Sequence, residues 1–133
     1  MMLKYLLDTN IVIYVIKNRP QALRERFAAH QGRMALSSVS LMELVFGAEK
    51  SAQPERNMRD IEGFVARLDV LSFADAAALH AGQIRADLVK KGTPIGPYDQ
   101  MIAGHARSEG LILVTNNMAE FQRVSGLRLE SWA

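Results

Sequence analysis

Three carboxylates stand at places where alternating strands and helices would carry them toward one another. Asp8 ends the apolar run LKYLL, Glu43 lies one turn inside the segment that follows MALSS, and Asp99 follows the turn GTPIGP. A core strand that stops on a charge needs a reason. Two carboxylates about 4 Å apart repel by roughly 4 kcal/mol at an effective dielectric near 20, so a converging set must protonate, separate or take up a cation. A hard divalent ion held by carboxylate oxygens and water answers that need, and such a site suits phosphoryl chemistry. Each acid also has a purely structural reading. Asp8 could cap the helix starting at Thr9, Ser40 to Glu43 fits the S-x-x-E capping box, and Asp99 in a first helical turn would complement the helix dipole.

Small polar residues accompany the acids. Thr9 and Asn10 follow Asp8, Ser38 precedes the Glu43 segment, and LILVTNN places Thr115 and Asn117 at the end of the most strand-like run. Hydroxyl and amide groups there can orient a carboxylate or a phosphate without adding charge, although Asn-Asn is also turn chemistry. His30, His80 and His105 show neither i, i+3 nor i, i+4 spacing, so no imidazole metal site is indicated. Cysteine is absent, which removes disulfides, thiolate metal sites and cysteine nucleophiles. No phosphate-binding loop, dinucleotide fingerprint or nucleophile elbow occurs.

The elements that must position these residues can be read from periodicity. Leu3 to Leu7 form a buried strand, and a helix from about Thr9 to Asn18 is halted by Pro20. Residues 21–31 form a second helix, 34–38 a short strand, and VSLMELVFGAEKS a helix with a broad apolar face. A helix from Pro54 to Leu68, the strand DVLSF, a long helix from Ala74 to Lys91, the helix YDQMIAGHARSEG ended by Gly110, the strand LILVT and a last strand near Leu127 to Glu130 complete the chain. Strands alternating with helices imply crossover connections, hence a mostly parallel sheet covered on both faces. Its functional crevice lies beyond the carboxyl ends of the strands, where Asp8 stands.

The chain has 133 residues, 49% hydrophobic and 23% charged, the size and composition of one globular domain spanning 1–133. No run nears ~20 apolar residues and no signal-peptide pattern opens the sequence, so a cytoplasmic protein without membrane association is expected. The net charge of +2 permits a polyanionic partner without demanding one.

LLDTNI, SSVSLMELVFGAEKS, GPYDQMIAGHARSEG and LVTNNMAEF, in that order, resemble the PIN-domain ribonucleases, and specifically the VapC toxins of bacterial VapBC toxin–antitoxin pairs. The resemblance runs over essentially the whole chain and is nearest to the enteric branch. It implies an α/β fold of PIN type, a three-layer α/β/α arrangement around a short, mostly parallel sheet. It implies Mg²⁺-dependent endoribonuclease activity, with Mn²⁺ as a substitute ion, on structured RNA; tRNA is the expected class and the anticodon region of initiator tRNA the leading target, so that translation stops. Asp8, Glu43 and Asp99 match the family's catalytic, metal-binding acids, with Thr9, Asn10, Ser38, Thr115 and Asn117 as supporting polar groups. Many members carry a fourth acid in a T-x-D pattern where this chain has Asn117, which raises the question whether Glu120 contributes through water. The implied partner is a VapB-type antitoxin whose tail obstructs the acidic site, commonly with an arginine; homodimers and hetero-oligomers with antitoxin are the implied assemblies. Two other readings compete: a catalytically weak PIN-like module that binds nucleic acid or a partner, hinted at by Asn117, and a receiver-type phosphoacceptor domain, disfavoured because LLDTN has a single acid.

Overall fold

The computed structural model describes residues 2–132, so both ends of the expected domain 1–133 lie outside the described residues. The elements follow in the order β1 (Tyr5–Leu7), α1 (Thr9–Asn18), α2 (Gln21–Ala29), β2 (Met34–Ser37), α3 (Ser38–Glu49), α4 (Pro54–Val65), β3 (Asp69–Leu71), α5 (Asp75–Lys90), α6 (Pro97–Glu109), β4 (Ile112–Val114), α7 (Met118–Phe121) and β5 (Leu129–Glu130). The expected helices are present, most with an end moved by a residue or more. The strands are shorter than their apolar runs, because pairing stops where the chain must turn into a helix. The single turn α7 was not expected; four residues are too few to show a 3.6-residue period.

The sheet order is β3-β2-β1-β4-β5, and all four pairings are parallel. Successive side chains of the central strand go to opposite faces. Tyr5 and Leu7 join Met34, Leu36, Ile112 and Val114 against α1, α2 and α4, where Ile11, Val12, Leu23, Phe27 and Ile61 are buried. Leu6, Ala35 and Leu113 face the other layer, made by Ile84 and Leu88 of α5, Ile102, Ala103 and Ala106 of α6, and Phe121 of α7. Two apolar layers around a sheet buried on both sides explain why β1, β2 and β4 read as unbroken apolar runs. Among the described residues no helix is long and apolar enough to cross a membrane.

The order reverses direction between β1 and β4, so the connections leaving these neighbouring strands run to opposite sides and leave a crevice at their carboxyl ends. Asp8 follows β1 and Thr115 follows β4. The Asp8 backbone N–H donates to the Val114 carbonyl at 2.9 Å, which pins the two strand ends together at the crevice floor. At the far side of α6, Gly110 takes a left-handed conformation (φ 67°) and ends the helix, as glycine does without steric cost.

Candidate active site

Asp8 is 1% exposed. It occupies the N-cap position of α1, yet its side chain makes no cap bond; its Oδ2 instead accepts a 2.9 Å hydrogen bond from Thr115 Oγ1. Oδ1 is buried and has no hydrogen-bond partner. A buried, unpartnered carboxylate oxygen is costly, so the capping explanation for Asp8 does not hold and its orphaned oxygen requires another.

Glu43 does not close a capping box either. Helix α3 begins earlier than that pattern needs, with Ser37 as its cap: Ser37 Oγ accepts from the Val39 N–H at 3.1 Å. Glu43 therefore sits in the second turn, free to reach across to α1. Thr9 Oγ1 lies 2.8 Å from both Glu43 Oε1 and Ser40 Oγ. A carboxylate only accepts, so the single Thr9 proton goes to Glu43 and the Ser40 hydroxyl completes the chain. Asn10, exposed in the same turn, borders the groove beside Glu43.

Asp99 is in the first turn of α6, where the helix dipole also favours a carboxylate. Its side chain is hydrogen-bonded to that of Glu120. Glu120, on α7, is held at both oxygens: Oε1 accepts from the Gly96 N–H at 3.3 Å and Oε2 from Asn117 Nδ2 at 2.8 Å. The Asn117 N–H in turn donates to Thr115 Oγ1 at 2.9 Å. Asn117 is thus a support for Glu120, and the fourth carboxylate of the crevice stands three residues beyond the position where a T-x-D pattern would put it. The sequence left Glu120 as a water-linked possibility because its direction depends on the single turn α7.

Ser38 points elsewhere, its hydroxyl accepting from the Phe73 N–H at 3.0 Å. The histidines have other partners: His30 stacks on Trp132, His80 accepts from Arg107, and buried His105 meets the Ser37 hydroxyl at 2.8 Å. Burial lowers the pKa of His105, so it is neutral at pH 7.

The four acids feel one another. Burial, opposed by the Thr115 hydrogen bond and the nearby Thr9 backbone N–H and reinforced by Glu43 and Glu120, pushes Asp8 up to about 6. Burial, the hydrogen bond to Glu120 and the charges of Glu120, Asp8 and Glu43 push Asp99 up to about 7. For Glu120 burial acts upward, but hydrogen bonds with Asp99, Asn117 and Gly96 outweigh it and hold it below the usual range. Asp99 and Glu120 titrate as an interacting pair, Asp99 pushed up and Glu120 down.

A pH dependence follows for Asp8. Its folded pKa lies above its unfolded one, so the folded state binds more protons between about pH 4 and 6, and stability falls as pH rises through that window. The shift corresponds to about 3 kcal/mol. In EDTA the melting temperature attributable to this group should be higher at pH 5 than at pH 7.5, and the difference should shrink when a divalent ion is added. A pH response identical in the parent and in Asp8→Asn would contradict this.

Among the described residues no three His, Asp or Glu side chains form a ready-made metal-binding group; the carboxylates are instead held separately by Thr115, by Thr9 and by the Asp99–Glu120 pair. The donor set nevertheless fits a hard divalent cation: all-oxygen, anionic, destabilised by its own charge, with one buried oxygen lacking any partner. A groove of about 1070 Å³ runs from Thr9, Glu43 and Tyr98 between α1, α3 and α4. A smaller concavity of about 450 Å³, lined by Phe27, Phe64 and Arg67 among others, has none of these carboxylates in its wall.

A family profile described as PIN domain matches residues 5–127. The chain is 64% identical to the tRNA(fMet)-specific endonuclease VapC of Shigella flexneri over 99% of its own length and 100% of that protein. Its fold superposes on DNA-bound VapBC from Salmonella typhimurium with a TM-score of 0.97 and 59% identity, covering 99% of this chain and 100% of that one. For VapBC-1 from nontypeable Haemophilus influenzae the TM-score is 0.88 at 39% identity, covering 99% and 98%.

Proposed function

The chain belongs to the PIN domain family, and on that premise we propose that its four-carboxylate crevice is the active site of a toxin: a metal-dependent endoribonuclease that cuts structured RNA and is neutralised by a VapB-type antitoxin. The observation that carries this reading is the buried Asp8 Oδ1 without a partner, at the point where the sheet order reverses. The full-length similarity to a tRNA(fMet)-specific endonuclease supports initiator tRNA as the substrate, and the fold shared with VapBC complexes supports the antitoxin partner. Mg²⁺ is the ion we assign, with Mn²⁺ able to replace it, because all-oxygen carboxylate sites favour both. The protein works in the cytoplasm, where its substrate is, as a single domain that forms homodimers.

Asp8, Glu43 and Asp99 would hold the ion, with Glu120 completing the negative charge. Bound there, a divalent ion would supply charge neutralisation at the phosphate oxygens and a more acidic water for attack at phosphorus. The chain's own groups prepare that chemistry. Thr115 holds Asp8 Oδ2 and so fixes the direction of that carboxylate; Thr9, backed by Ser40, fixes the direction of Glu43; Asn117 and the Gly96 N–H clamp Glu120. Because Asp99 is pushed up to about 7, cation uptake by these carboxylates should release protons near neutral pH. The non-catalytic alternative drew on Asn117 in place of an acid. Glu120, as a fourth carboxylate beside Asp99, weighs against that alternative.

Thr115→Val keeps the shape and removes the hydrogen bond to Asp8. Loss of such an orienting partner typically costs 10–100-fold in metal affinity or activity, so cleavage should fall by roughly that factor and the Mg²⁺ midpoint should rise. A wild-type Mg²⁺ midpoint in Thr115→Val would remove Thr115 from the site.

The decisive experiment is incubation of the purified protein with total tRNA in Mg²⁺ and in EDTA, followed by mapping of the ends. Cleavage confined to initiator tRNA and dependent on the ion is the expected outcome. Ion-independent cleavage, or none, overturns the reading.

A further inference from the structure

The groove that starts at Glu43 has a chemical character of its own. One of its walls is the outer face of α3, where Phe46 is 61% exposed, an unusual position for a phenylalanine. Glu43 and Phe46 are three residues apart on that helix, so the ring stands about one turn, ~5 Å along the axis, beyond the carboxylate. The Lys50 ammonium lies over the Phe46 ring, 4.8 Å from its centre. Tyr98, 47% exposed, stands at the same groove beside Asp99. Lys17, Arg19, Lys50 and Arg56 line the groove against only two acids, Glu43 and Asp60. Its volume of about 1070 Å³ exceeds the ~300–1,000 Å³ of small-molecule pockets, so it suits a polymer segment better than a single small ligand.

Exposed aromatic rings interleaved with cations, in a groove that begins at a phosphodiesterase site, are the physical requirements for holding single-stranded nucleic acid. We propose that this groove seats the unpaired RNA segment next to the scissile phosphate, with the Phe46 ring as the stacking platform for a base and Lys50 as the contact to the phosphate of the same nucleotide. The proposal rests on the nuclease reading and deepens it: the carboxylates cut, and Phe46 decides where along an unpaired loop they do so. A phosphate at the carboxylates and a base on the ring one helical turn away can be satisfied together by a splayed loop. In a continuous double helix the bases are already stacked on one another. The arrangement therefore favours an unpaired loop of a structured RNA over a continuous helix.

The test uses the full-length protein and initiator tRNA in Mg²⁺, with wild type in parallel. Phe46→Ala should raise KM roughly tenfold, within the range that aromatic–base stacking supplies, and leave kcat within about twofold. Phe46→Trp should restore KM, because it keeps the π-face. Lys50→Gln should lower the slope of log affinity against log salt by about one, as loss of a single phosphate contact does; anisotropy with labelled tRNA on an Asp8→Asn background measures this without cleavage. Unchanged KM in both Phe46→Ala and Lys50→Gln overturns the proposal, as does a Phe46→Trp no better than the alanine variant. It is also overturned if Phe46→Ala leaves RNA affinity intact but changes the oligomeric state or weakens binding of a VapB-type peptide, since the groove then belongs to a protein partner. If wild type cuts no RNA, the nuclease reading has failed and takes this one with it; wild-type cleavage with indifferent variants refutes the groove assignment alone.

Discussion

Asp8→Asn is expected to abolish RNA cleavage while yielding a folded protein that, in EDTA at pH 7.5, is more stable than its parent. The two effects have one cause. Asp8 is buried with one oxygen unpartnered, and burial pushes its pKa up to about 6. At pH 7.5 it is ionised in the folded state at a cost of up to about 3 kcal/mol. Asparagine keeps the shape, can still accept from Thr115, and carries no charge. It cannot serve as an anionic ligand, so activity should drop well beyond the ~10–100-fold typical of lost supporting groups. The gain in stability should vanish near pH 4, where the folded parent is already protonated. Equal melting temperatures of variant and parent in EDTA at pH 7.5, or residual activity within tenfold, would refute the assignment of Asp8.

The second large effect concerns the crossing of α5 and α6. A Cβ at Gly104 would lie 2.6 Å from the Ala81 backbone N and 2.7 Å from its Cα. Backbone cannot turn aside as a side chain can, so Gly104→Ala must force the helices apart. Overpacking costs typically 1–3 kcal/mol, and here the higher end should apply, offset by about 1 kcal/mol of better helix propensity. Net loss should be about 2 kcal/mol. Gly82→Ala, on α5 with nothing within 4 Å of the added carbon, should instead stabilise by up to about 1 kcal/mol. Denaturant titrations of the pair decide the matter: similar midpoints would mean that the helices yield at no cost. Because α6 also carries Asp99, Gly104→Ala should lose activity along with stability.

What the sequence revealed is what periodicity and composition encode. Alternating apolar strands and amphipathic helices announced a parallel sheet with two covered faces, and the rule that crevices open at strand carboxyl ends singled out Asp8 before any geometry was known. Direction was less accessible. Ser40 and Glu43 match a capping box in spacing, but the helix starts at Ser38 under a Ser37 cap, which turns Glu43 toward Thr9. Ser38 was grouped with the site by its position in the chain, yet one residue of helical rotation sends its hydroxyl to Phe73. Glu120 could not be placed because a four-residue helix leaves no periodic trace. Asn117 read as a lost acid; only the fold shows its amide holding Glu120.

The pairing of β1 with β4 has a consequence for the cell that makes the protein. The hydrogen bond from Thr115 to Asp8 joins residues 107 apart, whereas Thr9 and Glu43 are 34 apart. During synthesis the first strand emerges early, but the elements that orient its carboxylate come near the end of the message. At translation speeds of 5–20 residues per second, a gap of 107 residues lasts roughly 5–20 s. For most of that interval the chain on the ribosome lacks β4, which carries the partner of Asp8, and α7, which bears Glu120. The crevice can therefore close around Asp8 only when synthesis is nearly finished.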